Sequence, residues 1–491
     1  MAKKKQAVTK KETTISWTSI AVMTFCTLWG FNNLITGTFY FGQTRVIGVW
    51  FLVFLLYFLP YSLMVGELGS VFRKYGGGTS SWVYETVGPN LGYFAGWIGW
   101  VVILPYLAQK PSLIIVAANW MINQNGDISN LDPMTVQLVG VAIFLVCVFL
   151  ASKGIKVVKV IASIAGTASF IMAMLFIVFG LLTPFINLDP VNVPTYTIDF
   201  SPGYFFPTDL SVFASLSILL FGVGGAEKVA PYVNKMEKPG KDFPKGIIAV
   251  VIMVAVAAFA GAFAMATLFG QDGLPDGFIT NGQYICFQKV GQAFGLGNSI
   301  MVLYAAVKFI TDVAVLIVSI DVPLRLLLAH SDARFIPKGS LKQNKHGAYT
   351  YWLIVVTVIV VALLVLPALG MGDTDGLIKW LLEICSIVMP IFYICVFVGY
   401  LGLKITKNKI ERHKDDFIFI KNKTLGSLCA IWLIAVTFVG MVMQIYKEDM
   451  FQFMMNLCIP IVLLGLGLIL PFIANIYNKR HGIDPEKEKH E

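Results

Sequence analysis

Long apolar runs separated by short polar connections dominate this chain. A helix crosses a bilayer core in about 20 predominantly apolar residues. Twelve stretches approach or exceed that length: 17–42, 47–72, 92–121, 135–152, 157–183, 207–231, 246–270, 298–325, 350–369, 377–402, 424–445 and 452–476. The longer ones are expected to tilt or kink. The pattern predicts an all-α polytopic membrane protein of twelve transmembrane helices. Composition agrees: the 491 residues are 57% hydrophobic and 13% charged, whereas a soluble domain carries roughly 25% charged residues. Much of this surface must therefore meet lipid.

The net charge of +9 invites a nucleic-acid reading until its placement is examined. Segments 1–16, 73–91, 153–156, 232–245, 326–349, 403–423 and 477–491 are rich in lysine and arginine, among them Lys3, Lys4, Lys5, Arg73, Lys153, Lys241, Arg412 and Arg480. The alternate segments hold Arg45, Lys289, Lys379 and Lys447 beside Asp127, Asp132, Asp189, Asp199, Asp272, Asp276, Asp373 and Asp375. That asymmetry follows the positive-inside rule and puts both termini in the cytoplasm of a multi-pass plasma-membrane protein. The partners it implies are the lipid bilayer and a small molecule, with no nucleic acid. The basic tail 1–16 leads into an apolar run too long for a signal-peptide core, so the first span is expected to be retained. Six cysteines lie in apolar stretches and Cys286 in a polar connection, with no CxxC pair or Cys/His cluster. Neither a metal, a cofactor nor a disulfide framework is expected.

Two spans break their own helical pattern. The first reads CTLWGFNNLITGTFY, with Gly30, Asn32, Asn33 and Gly37; the sixth reads LLFGVGGAEKVAP, with Gly222, Gly224 and Gly225 ahead of Glu227 and Lys228. Non-helical backbone at membrane depth survives only inside protein or against a wet cavity. Two breaks five spans apart fit inverted repeats with discontinuous helices. A broken helix offers free N–H groups to a carboxylate and free carbonyls to an ammonium, the two charges of an α-amino acid. The plainer alternative is close helix packing through small residues.

GELGSVFRKYGGGTSSWVYETVGPNLGYFAGW (66–97) and VGGAEKVAPYVNKMEKPGKDFPKGI (223–247) resemble the second-span and sixth-span signatures of the amino acid–polyamine–organocation superfamily. With ASKGIK (151–156), they look most like its glutamate:GABA antiporter branch, particularly the YjeM-type permeases. The resemblance implies a five-plus-five inverted repeat, the LeuT-like fold, with repeats over 17–183 and 207–402 and two further spans over 424–476. It implies alternating access to a site formed chiefly by spans 1, 3, 6, 8 and 10. It also implies unwound segments at Trp29–Asn33 (Trp29, Gly30, Phe31, Asn32, Asn33) and Phe221–Ala226 (Phe221, Gly222, Val223, Gly224, Gly225, Ala226). Gly30-Phe31-Asn32-Asn33 replaces the family's usual Gly-Ser/Ala-Gly at the first break, which bears on substrate more than on fold.

Charged groups at a helix centre cost about 2.5–3.5 kcal/mol on insertion scales, so each is a functional candidate. Lys308 and Asp312 are four residues apart on one face of span 8. At about 1.5 Å per residue Lys308 lies roughly 15 Å deep. They form either a packing ion pair or a substrate- or proton-linked one. Lys110, between Pro105 and Pro111, either meets a substrate carboxylate or snorkels to the interface. Glu383 is a candidate partner for Lys110, Lys308 or an amine. Glu227, Lys228 and Asp321, the last with Arg325 one turn on, are candidates for gating or coupling. Glu67 reads as structural, bonded by the connection that follows it. Trp29, Phe31, Phe221 and Tyr304 are candidate lids.

These features point to a secondary transporter of amino acids or their decarboxylated amines, with exchange expected and proton- or sodium-coupled symport as the alternative. Backbone carbonyls and Thr311 or Ser319 are the oxygen ligands on offer to sodium. No G-x-x-x-x-G-K-[ST] motif occurs to supply nucleotide energy. All five histidines lie in loops or the tail, which leaves a membrane-embedded enzyme without candidate chemistry, and no filter motif suggests a channel.

Overall fold

The computed structural model describes residues 15–42, 45–75, 78–126, 132–153, 156–186, 210–269, 273–328, 332–370, 374–406, 410 and 412–484. Lys3, Lys4, Lys5, Gly76, Gly77, Asp127, Asp189, Asp199, Asp272, His330, Asp373, Lys407 and the tail from 485 lie outside them. The helices are α1 (Trp17–Leu28), α2 (Phe31–Phe41), α3 (Arg45–Val53), α4 (Leu59–Val71), α5 (Thr79–Thr86), α6 (Pro89–Val101), α7 (Leu104–Asn123), α8 (Pro133–Ser152), α9 (Lys156–Ile186), α10 (Leu210–Val223), α11 (Pro239–Phe269), α12 (Phe278–Ala293), α13 (Ser299–Leu328), α14 (Thr350–Ala368), α15 (Thr374–Ile405), α16 (Lys423–Ile445) and α17 (Met450–His481).

Among the described residues ten helical segments are long and apolar enough to cross a membrane, and eleven if α1 and α2, bent by 44°, count as one span. The expected ninth span falls on α14, whose apolar stretch Thr350–Leu366 is shorter than the others. Several ends are written in local chemistry. Ser16, Asp132, Asn422 and Asp449 each cap a helix by accepting a backbone N–H three residues on, the interaction that gives such residues their N-cap preference.

Two features depart from the apolar pattern's simple reading. The second span passes through a π-helical turn, Phe54–Phe58, between α3 and α4. The segment expected to be a polar connection around Cys286 is instead α12, with Phe278, Tyr284, Cys286 and Phe287 buried. Its helical periodicity is diluted by Asn, Gln and Lys, so hydropathy alone passes over it.

The interior divides into two apolar clusters. One centres on α1–α4 and α9–α12; the other joins α6–α8, much of α13, α14 and part of α15. The broken helices α1–α2 and α10 belong to the first, while α13 from Leu316 onward belongs to the second.

Candidate functional site

Between α1 and α2 the chain leaves the helix only at Trp29 and Gly30, both extended, with a bend of 44°. Phe31, Asn32 and Asn33 already form the first turn of α2. The second break is equally tight: α10 runs through Phe221, Gly222 and Val223, and only Gly224 and Gly225 precede a 3-10 helix, Ala226–Lys235. The unwound stretches expected at Trp29–Asn33 and Phe221–Ala226 thus shrink to two residues each. A direct contact accounts for the tightness, since Asn33 Nδ2 donates to the Gly222 carbonyl at 2.9 Å and ties one break to the other. Gly225 sits at φ +121°, a conformation that L side chains rarely adopt. At Gly224 a Cβ would enter the ring of Tyr393, so that aromatic closes directly on backbone.

Beside the breaks, a narrow cleft is lined by Asn32, Asn33, Thr36, Trp50, Phe221, Gly222 and Leu382. Its volume of about 10 Å³ holds roughly one water. Gly30 is exposed, with open space where a Cβ would stand. The Asn33 N–H donates to the Gly30 carbonyl at 2.9 Å, whereas Phe31 and Asn32 stand at the first positions of α2, where N–H groups have no partner within the helix and suit an anion. Trp29 is buried against Trp50, ring centroids 5.4 Å apart, and Phe31 packs among Phe176, Phe287 and Tyr304. Of the candidate lids, Phe221 alone lines the cleft.

Lys110, Lys308 and Asp312 meet, though none of them lines that cleft. Lys110 Nζ donates to Asp312 Oδ1 at 2.8 Å, and Lys308 Nζ donates to Oδ2 of the same carboxylate. Lys110 therefore does not snorkel: it is 7% exposed and lies 4.8 Å from the centre of the Tyr106 ring. Tyr304, Lys308 and Asp312 follow at four-residue intervals on α13, so they share a face, and Tyr304 meets Phe31 with centroids 5.9 Å apart. The cluster is thus linked to the first break through two aromatic rings. Two ammonium groups on one carboxylate leave a net positive charge among the spans.

Glu227 is buried and accepts a hydrogen bond from Tyr61 of α4, and its Oε1 has no hydrogen-bond partner among the described residues. The same Tyr61 hydroxyl accepts the Gly225 N–H at 3.0 Å, so it fastens the second break to α4. Lys228 is exposed, its amine close to Gly225. Asp321 pairs with Arg325. Glu383 pairs with neither Lys110 nor Lys308: Tyr40 donates to it at 2.8 Å and Lys447 at 2.9 Å. Glu67 is wholly buried, and its donors come from the 400–419 region (Tyr400, Lys404, Arg412 and the Phe419 N–H) rather than from the connection after it. Thr311 is committed to Ser169 and the Val307 carbonyl. Among the described residues no group of three His, Cys, Asp or Glu could hold a metal.

Sequence reasoning missed Tyr61, Tyr393, Tyr40 and Trp50. A phenol inside an apolar span needs a partner for its hydroxyl, which is a usable signal. With 18 tyrosines and 10 tryptophans in the chain, that signal does not say which ones.

The family model described as amino acid permease matches residues 15–466. The aspartate/glutamate permease AcaP of Lactococcus lactis subsp. cremoris is 39% identical over 471 residues, covering 94% of this chain and 95% of its own. A glutamate/gamma-aminobutyrate antiporter of Lactococcus lactis subsp. lactis is 25% identical over 91% of this chain and 88% of its own. The inner membrane transporter YjeM of Escherichia coli is 26% identical over 57% of this chain and 58% of its own.

Proposed function

Since this chain belongs to the amino acid permease family and is a multi-pass amino-acid transporter, we propose that its cargo is an acidic amino acid, moved by exchange through alternating access. The observation that carries this reading is the charge count at Asp312, where Lys110 and Lys308 share one carboxylate. A dicarboxylic amino acid carries one carboxylate more than a neutral one. The N–H groups at the first break receive the α-carboxylate, and the surplus cation of the cluster attracts the side-chain carboxylate, a charge-assisted interaction of about 1.5–3 kcal/mol. The printed names of the relatives, an aspartate/glutamate permease and a glutamate/gamma-aminobutyrate antiporter, point the same way.

The lysines favour exchange over sodium symport, because a fixed cation takes the place that a co-transported one would fill. We place the breaks in a five-plus-five inverted repeat of twelve spans, 17–183 and 207–402, followed by 424–476, with both termini cytoplasmic. The reading is supported by the grouping of the broken helices α1–α2 and α10 in one apolar cluster and of α6, α8 and α14 in another. Glu383, held by Tyr40 and Lys447, joins α2, α15 and the end of α16 and would lock the outer side. Glu227 with Tyr61 would steady the inner side.

Thermal unfolding of the purified protein with a panel of amino acids tests the reading. Aspartate and glutamate should raise the melting temperature, while asparagine, glutamine and lysine leave it unchanged. Equal stabilisation by glutamine and glutamate would remove the case for acidic cargo.

A further inference from the structure

A second cavity, of about 270 Å³, lies away from the breaks, where α15 ends and α16 begins. Its walls include Lys404, Arg412, Lys421 and Lys423 together with Leu403 and Ile418. Among the described residues the lining carries no acidic side chain, and Glu67 beside it binds Lys404 at 2.7 Å and Arg412 at 3.2 Å. The neighbouring Asp415 and Asp416 are engaged by Arg73. Among the described residues Lys404 and Arg412 share Glu67, and Lys421 and Lys423 have no acidic partner. Lys421 and Lys423 are exposed at the rim, and Arg412 Nε is buried with no hydrogen-bond partner among the described residues. Ile418, 40% exposed, gives the same opening an apolar lip.

This combination differs from an ordinary basic loop. A solvated charge run needs no cavity, and a purely electrostatic patch needs no aliphatic rim. Cations above a concave space with an apolar edge at the end of two apolar helices match a phosphate group attached to an acyl chain. We propose that this cavity binds a phosphate-bearing anion, supplied by the headgroup of an acidic phospholipid, with Lys421, Lys423 and Arg412 on the phosphate and Ile418 and Leu403 against the lipid. The lipid would then brace the α15–α16 junction, through Lys404 and Glu67, against α4. The site is independent of which amino acid is carried.

Native mass spectrometry of the full-length protein in detergent, equilibrated with phosphatidylglycerol or phosphatidylcholine, reads this directly. The protein should retain phosphatidylglycerol preferentially, and the double variant Lys421→Gln/Lys423→Gln should lower that retention about tenfold. Both lysines are exposed and outside the transport site, so the variant is expected to fold. The control Lys479→Gln/Arg480→Gln, at the basic end of α17, should leave retention unchanged. Competition arms separate the sources: displacement by inorganic phosphate at matched concentration assigns the site to a free phosphate, and no displacement assigns it to the lipid. Equal retention of the two lipids, or an equal loss in both double variants, overturns the proposal.

Discussion

Removing Asp312 and removing Lys308 should have unlike consequences, although both groups belong to one cluster. Asp312→Asn leaves two buried ammonium groups facing each other, and losing one partner of a buried pair costs about 3–5 kcal/mol. That variant should express poorly or unfold early in a thermal scan. Lys308→Met instead leaves a balanced pair, Lys110 with Asp312. It should fold and lose affinity for acidic substrate by tenfold or more, as expected for one charge-assisted contact of about 1.5–3 kcal/mol, read as a raised KM in proteoliposome uptake. Unchanged uptake in both variants would make the cluster purely structural. Half of this arrangement was legible beforehand, because Lys308 and Asp312 are spaced for one helix face. For Lys110 the candidate partner was Glu383, not Asp312. It comes from another helix 202 positions away, and no periodicity links the two. The same limit applied to Glu383, whose partners Tyr40 and Lys447 lie far from it in sequence.

At the scale of elements, the glycine clusters announced both breaks, since residues without a Cβ gather where backbone leaves the helix. The extent of each break was overestimated, because the side chain that shortens it, Asn33, acts across the gap on Gly222. Gly225→Ala puts a side chain at φ +121° and should destabilise by about 1–3 kcal/mol, measured by denaturation of purified protein. Tyr61→Phe removes the donor to Glu227 and the acceptor of the Gly225 N–H together. Leaving such groups unsatisfied costs about 1–3 kcal/mol each, and slower uptake should accompany the lower melting temperature. α12 was illegible for a different reason. Its buried face, including Tyr284 and Phe287, is interrupted by polar residues such as Gln283, which accepts from Tyr304.

For the whole molecule, the proposed orientation rests on the alternating charge of the connections. Asp276 and Lys342 are both exposed and lie on segments assigned to opposite sides. In intact cells a membrane-impermeant thiol reagent should label Asp276→Cys and spare Lys342→Cys; the reverse pattern would invert the topology. The assigned inner side also bears the pair Arg73–Asp415, two hydrogen bonds of 2.9 and 3.0 Å. Those bonds from Arg73 hold the Asp415 carboxyl below its ordinary value. Its folded-state value is depressed, so its stabilisation is complete above about pH 4 and is lost only as pH falls through the lower value. Asp415→Asn should therefore leave the shape of uptake against pH unchanged between about pH 5 and 8. The membrane class, the charge pattern and the broken helices were all readable in the chain. The division into two apolar clusters emerged only from contacts between distant spans.

The central claim is that a surplus cation beside two tied helix breaks selects an acidic amino acid for exchange. Counterflow in proteoliposomes tests it most directly, with unlabelled glutamate inside and labelled aspartate outside. The account predicts saturable accumulation of label that requires internal glutamate, is competed by external glutamate and ignores external glutamine. Uptake independent of internal substrate, or competed equally by glutamine, would contradict it.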